Sequence, residues 1–304
     1  VCSWKVEGEE SQRQIRADIE VSRERDFHTI YYTKGGEKLS STGTVLEFCP
    51  DSCTRYYWRV RIQDEKQETT VSDPAYFETG RGSEPWDAVW ISTRQEDTFH
   101  PVFHRYFSTK KTVKEAVLTI CGLGLFEAKI NGNKIGEEYL TPYINDYQSG
   151  YQYFTYHVED SLQEENRLEV FLGNGWYKGR LIGGRYKWFG DRFALIAELS
   201  IQYEDGSREK IITDQNWSYS RSFIEESDIY DGEVENLYEW EKEKRNEVRA
   251  EELDWDTGNL CARYSLPICV QEELPVREII HTPAGETVLD FGQNFAGLIE
   301  VRAE

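Results

Sequence analysis

The dominant period along the chain is two. In Arg55-Tyr-Tyr-Trp-Arg-Val-Arg-Ile62, Tyr56, Trp58, Val60 and Ile62 fall on one side, and Arg55, Tyr57, Arg59 and Arg61 on the other. That alternation predicts a half-buried strand. Phe126, Ala128 and Ile130 oppose Glu127 and Lys129 in the same way, and Asn131-Gly132 follows at once. Asn-Gly supplies the positive φ angles of a tight hairpin turn, so Lys134-Ile135 should begin the return strand. Ala197, Leu199, Ile201 and Tyr203 make another face, turned by Asp205-Gly206 into Lys210-Ile-Ile-Thr213, and Leu168, Val170 and Leu172 make a further one. Helical periodicity is poor. Over 237–253, Leu237, Trp240 and Val248 are thinly spaced among charges, which predicts at most a short, exposed helix.

Many short strands with turn signals between them predict an all-β fold of tandem antiparallel β-sandwiches. Two seams divide it. Gly80-Arg-Gly-Ser-Glu-Pro85 has the composition of a linker, and a softer break lies around 254–261. The expected units are therefore 1–80, 81–262 and 263–304. The first has the proportions of a fibronectin III or immunoglobulin-like sandwich, with Trp4 and Tyr56-Tyr57-Trp58 placed for core aromatics and a corner tyrosine. Past the second seam, Leu266-Pro-Ile-Cys-Val270, Glu286-Thr-Val-Leu-Asp290 and Leu298-Ile-Glu-Val-Arg302 read as strands.

Charge narrows the partners. Thirty-five basic against 56 acidic residues give −21, a field that disfavours nucleic acid. No apolar run approaches the ~18 residues of a membrane span, and mean hydropathy is −0.68. Aromatics reach 14%, far above what an acidic disordered chain carries. The six cysteines are too sparse for a disulfide scaffold. Cys49 and Cys53 have no second pair to complete a zinc set, and Cys121 and Cys269 sit in apolar, strand-like runs. These features favour buried thiols in a reducing compartment, hence a cytoplasmic rather than a secreted location. A chain of 304 residues without methionine, starting at Val1, reads as a piece of a longer polypeptide.

Five segments carry a resemblance: Ile120-Cys-Gly-Leu-Gly-Leu-Phe-Glu-Ala-Lys-Ile-Asn-Gly132, Leu140-Thr-Pro-Tyr-Ile-Asn-Asp-Tyr147, Leu172-Gly-Asn-Gly-Trp-Tyr-Lys-Gly179, Ser227-Asp-Ile-Tyr-Asp-Gly-Glu233 and Leu289-Asp-Phe-Gly-Gln-Asn-Phe-Ala-Gly297. In this order they resemble the N-terminal region of bacterial α-L-rhamnosidases, a glycoside hydrolase family. The likeness covers roughly 86–304. It implies a galactose-binding-like jelly roll in the middle, then the start of a further β-sandwich, with a catalytic (α/α)6 barrel later in the polypeptide. On that reading the piece is non-catalytic. It serves structure or substrate recognition, with rhamnose-containing glycans or glycosides and the downstream domains of its own chain as partners. A stand-alone rhamnose-binding, lectin-like module and an adhesion-type β-sandwich array are the alternatives.

No residue is proposed as catalytic. Inverting hydrolysis needs two opposed carboxylates in one cleft, whereas Glu137-Glu138, Glu225-Glu226 and Glu251-Glu252 are adjacent acids of a solvated surface. For carbohydrate binding, Asn174, Trp176 and Tyr177 combine amide and aromatic groups between glycines that let the backbone approach closely. A core-capping turn uses the same residues. Asp146 is a calcium or sugar-hydroxyl candidate, and equally the acid of an Asx turn. The relevant family includes calcium-dependent rhamnose-binding modules, which makes calcium the one cofactor to test. Asp191 and Arg192 offer a ligand-contacting pair or a surface ion pair. Asp228, Asp231 and Glu233 read as a turn whose acids accept backbone N–H groups. His100 and His104 bracket extended Pro101-Val-Phe103, so they do not form a zinc pair.

Overall fold

The computed structural model describes residues 1–8, 13–181, 184–242 and 246–302. Strands dominate, and helix is confined among the described residues to Gly175–Lys178, Leu237–Lys242 and one 3-10 turn at Glu159–Ser161. The tandem β-sandwich expectation holds.

The first sheet runs in the order Tyr32–Gly36, Gln14–Ser22, Arg55–Asp64, Thr69–Val71, with Ala75–Glu78 also on Arg55–Asp64, all antiparallel. Alternation decides its faces. Ala17, Ile19, Val21, Tyr56 and Val60 point to the core. Arg59 and Arg16 point outward, bonding Glu20 at 2.7 Å and Asp18 at 2.7 Å. The layer opposite is irregular chain carrying Trp4, Leu39, Leu46 and Phe48, closed by the isolated bridge between Cys2 and Thr44. Tyr56 is the corner tyrosine: its hydroxyl accepts from Asp51 N and donates to the Asp51 carboxylate, both at 3.0 Å.

The presumed linker is anchored. Gly80 passes so close to Tyr153 and Ala262 that a Cβ would lie 2.5 Å from both. Arg81 N donates to Tyr153 Oη at 2.7 Å. The Arg81 guanidinium, 3% exposed, reaches Glu198 Oε1 at 2.9 Å, Thr119 Oγ1 at 3.2 Å and Pro85 O at 2.6 Å, and lies 4.5 Å over the Trp86 ring. Lys210 Nζ adds contacts at 2.9 Å to Glu198 and 2.6 Å to Asp87. Composition alone reads this run as loose because its ion-pair partners lie more than a hundred residues away.

Beyond it two sheets stack. One runs Asn133–Lys134, Leu125–Ile130, Glu165–Gly173, Pro101–Ser108, Ser218–Arg221, Val248–Arg249. The other runs Glu251–Leu253, Trp90–Ser92, Ala194–Tyr203, Val113–Leu123, Tyr151–His157, Leu260–Ala262, with Arg208–Ile212 on Ala194–Tyr203. All pairs are antiparallel except Tyr151–His157 with Leu260–Ala262. Phe103, Leu118, Ile120, Phe154, Leu199 and Trp217 fill the space between. Each large apolar side chain buried there contributes about 1.5–3 kcal/mol. The second sheet is covered on its outer face too, where Trp90, Cys121, Leu123, Tyr147, Tyr177 and Ile196 cluster. Burial on both faces is why 116–123 reads as a continuous apolar run rather than an alternating one. The hairpin forms as expected, with Asn131 at φ 54 and Gly132 at φ 84 and Asn133 returning opposite Ile130.

The short helix and the strand at 286–290 form as expected, while the strands expected at 266–270 and 298–302 do not. The helix from Leu237 ends at Lys242, and Val248–Arg249 and Glu251–Leu253 join the two sheets instead. Residues 243–245 lie outside the described residues. The apolar run around Cys269 and that at 298–302 form no ladder. In the third unit, Thr287–Asp290 pairs with Glu278–His281 as a lone hairpin.

Candidate functional site

The site candidates from 174 to 192 sit on the outer cover of the second sheet. Strand Glu165–Gly173 ends in Gly175, whose φ of +54 turns the chain into the short helix Gly175–Lys178. A Cβ at Gly175 would lie 2.7 Å from Leu125 Cγ and 2.9 Å from Leu125 N, so the turn requires glycine. Gly175→Ala is expected to cost about 1–3 kcal/mol; an unchanged urea midpoint would refute this.

Asn174 precedes the helix and makes no side-chain cap bond, leaving its amide for other partners. Trp176 is half-buried against the outer cluster. Tyr177 is turned inward, 5.3 Å edge-on to Tyr147, and a Cβ on Gly190 would overlap its hydroxyl. Burial pushes its phenol up to about 12. Tyr177 therefore supports the loop from below, a placement that offers no direct ligand contact. Lys178 Nζ lies 3.6 Å over the Phe193 ring, and burial, with Lys187 next, lowers its amine to about 8.

Asp146 is exposed, and its carboxylate closes its own turn: Oδ1 accepts Gln148 N at 3.2 Å and Oδ2 accepts Ser149 Oγ at 2.5 Å. Calcium takes six to eight oxygens, and Asp146 brings no second acid with it. Among the described residues no group of three or more His, Cys, Asp or Glu side chains could hold a metal. The donor set does not fit calcium. Tyr147 nevertheless ties this turn to the loop, meeting Tyr177 at 5.3 Å and Phe189 at 5.1 Å. Asp191 is exposed, and Arg192 does not turn to it. Its guanidinium reaches Thr93 O at 2.5 Å and Glu251 at 2.8 Å, a structural tie across the sheet. Glu252, one residue on, faces the other way and accepts Gln215 N at 2.7 Å. The adjacent acids thus serve separate neighbours.

Of the acids at 228–233, Asp228 accepts backbone N–H groups as expected, whereas Asp231 takes side-chain donors. Asp228 takes Arg180 N at 2.7 Å and Tyr230 N at 3.1 Å. Asp231 takes Arg180 Nε at 2.8 Å and the Tyr186 hydroxyl at 2.6 Å. This clamp holds Tyr186 and, through Arg180 5.5 Å over its ring, Tyr230, which sequence reasoning missed; Trp188, two residues on and equally exposed, carries Arg185 4.9 Å over its ring. The available signal was Arg185-Tyr-Lys-Trp-Phe189 between glycines, where Tyr186 and Trp188 alternate with basic residues. Flat aromatic faces beside guanidinium and carboxylate groups can stack on the C–H side of a sugar ring and bond its hydroxyls.

Fold and site define a tandem all-β protein whose second sandwich carries a clamped, aromatic and polar surface. Residues 1–83 match the family described as "Rha78A-like, N-terminal immunoglobulin domain", and residues 111–272 match "Alpha-L-rhamnosidase N-terminal domain". The chain belongs to the α-L-rhamnosidase family. It is 29% identical to an α-L-rhamnosidase of Formosa agariphila over 290 residues, covering 82% of this chain and 30% of that protein. It is 30% identical to one of Streptomyces avermitilis over 234 residues, covering 73% and 22%. The chain thus spans under a third of these relatives. The crystal structure of an Aspergillus terreus α-L-rhamnosidase superposes with a TM-score of 0.75 at 30% identity, over 96% of this chain and 36% of that one. The Streptomyces avermitilis enzyme complexed with L-rhamnose superposes at 0.72 over 93% and 46%, with 18% identity, and shows the fold alone.

Proposed function

We propose that this chain is the non-catalytic, substrate-recognising and domain-positioning part of an α-L-rhamnosidase that hydrolyses terminal α-L-rhamnosides. The observation that carries the recognition role is the exposure of Tyr186, Trp188 and Tyr230, with Tyr186 and Tyr230 held by the Asp228–Asp231 turn and Trp188 under Arg185. The purified chain should release no nitrophenol from an aryl rhamnoside; turnover surviving stringent purification would defeat the assignment. Calorimetry with L-rhamnose, with and without calcium, should give saturable heat that does not depend on the metal. Trp188→Ala should weaken it roughly 3- to 10-fold, the worth of one stacked aromatic. No heat under either condition would leave a structural role only.

The positioning role rests on the third unit. An isolated two-stranded hairpin is marginally stable in water, yet that of Glu278–His281 and Thr287–Asp290 leaves Ile279 59%, Val288 43% and Leu289 43% exposed. We read 263–304 as the opening of a further sandwich that packs on downstream domains, following units at 1–80 and 81–262. Joined to those domains in a longer polypeptide, these side chains should become protected from solvent, as hydrogen exchange across the hairpin would report.

A further inference from the structure

A groove separates the 134–141 loop from the 224–235 hairpin, whose turn at 228–231 also clamps the 180–186 loop. It encloses about 250 Å³, below the roughly 300 Å³ at which pockets for drug-sized ligands begin. That is room for one sugar ring. Its floor is Phe171, 6% exposed and packed on Phe223, whereas Phe126, on the opposite face of the sheet, turns into the core. One wall carries Tyr139 and Leu140, 38% and 41% exposed, with Lys134 Nζ 3.9 Å over the Tyr139 ring. That lysine also donates to Glu138 O at 2.8 Å.

The other wall is acidic. Strand Gly232–Glu235 alternates, so Glu233 and Glu235 share the groove side, and both line it. Burial and a hydrogen bond with Glu233 hold the Glu235 carboxyl above its usual range. The two acids therefore offer several acceptor oxygens to a hydroxylated guest. Tyr156 lines the same space. It is 7% exposed.

We infer that this groove is a second carbohydrate subsite, for a neutral 6-deoxyhexose with its methyl group on Phe171 and its hydroxyls toward Glu233 and Glu235. The inference rests on the reading that the chain meets rhamnosides, and it specifies where a second unit of such a glycan would sit. Glu127 at the floor adds a further carboxylate, so a uronic acid is repelled. A hydroxymethyl group in place of the methyl would bury an unpaired hydroxyl on the Phe171 ring.

The test is an amide and indole NMR titration of the 304-residue chain with L-rhamnose, L-mannose and D-glucuronate. L-Rhamnose should shift Tyr139, Leu140 and Glu235 saturably. L-Mannose should be roughly 10-fold weaker there, and glucuronate should leave these signals still. Glu233→Gln combined with Glu235→Gln should weaken the groove shifts roughly 3- to 10-fold without moving the remaining spectrum. Shifts at the Trp188 indole with none in the groove would overturn this inference while sparing the aromatic-face reading. Groove shifts without any at Trp188 would support it and remove that face. Equal response to rhamnose and mannose would overturn the methyl-down assignment, and silence at both places would sink both.

Discussion

Replacing Glu198 by alanine is expected to lower the unfolding free energy by about 3–5 kcal/mol, the cost of leaving a buried charge without its partner. Glu198 is 1% exposed and accepts from the Arg81 guanidinium, Lys210 and Asp87 N. Its removal strands Arg81 at 3% exposure between Thr119 and the Trp86 ring. Urea unfolding should show the midpoint falling by that amount. Asp87→Ala, which removes only the exposed arm of the same network, should cost less than about 1 kcal/mol. Replacing Arg81 and Glu198 together by leucine and methionine should recover much of the loss, because the desolvation of both charges disappears with them. An E198A chain no less stable than the D87A chain would show that the pair does not hold the joint.

That joint also reaches the packing beneath the aromatic loop. Gly80, Arg81 and Tyr153 fix the first unit against the strand Tyr151–His157. Tyr151, at the start of that strand, lies 6.4 Å from Tyr147, and Tyr147 packs on Tyr177 and Phe189 beneath the aromatic loop. The loop thus stands on a foundation to which the first unit is tied.

Local chemistry made the strands legible. The faces of Arg55–Asp64 and Ala194–Tyr203, the Asn131-Gly132 turn and the Tyr56 corner each depend on residues close in sequence. What escaped was long-range. Val248 and Glu251 become strand residues because Tyr219 and Ser92 present free edges to them, and the parallel pairing of Tyr151 with Leu260 has no turn signal at all. The site divides in the same way. Asn174 and Trp176 were readable from a glycine-flanked motif. Arg192 was matched with its neighbour Asp191, yet its partner is Glu251, 59 residues away. The aromatic face needed Asp231 to reach Arg180 and Tyr186 across 51 and 45 residues. No periodicity reports such a clamp.

Acid should destabilise the chain through His100, which packs beside the same loop. The ring is 6% exposed, 5.4 Å from Phe193, and its Nδ1 has no hydrogen bond among the described residues. Burial first, and the Lys178 ammonium next, lower its pKa from 6.5 to about 4, against the weaker opposite pull of Asp228. A histidine whose folded-state pKa lies below the unfolded one is held neutral by the fold. Its stability contribution is complete above pH 6.5 and disappears as the pH falls toward 4, because the unfolded chain takes up the proton first. The loss amounts to about 3 kcal/mol across that window. Glutamates, with Glu78 and Glu235 held above their usual range, titrate in the lower part of that window, and His157, also lowered to about 4, titrates alongside, so the readout is a difference. Urea-derived stability of the wild-type chain should fall about 3 kcal/mol more between pH 7 and 4 than that of His100→Leu. Parallel curves for the two proteins would mean that the imidazole is protonated in place, and that the contact between Lys178 and Phe193 does not close the loop over it.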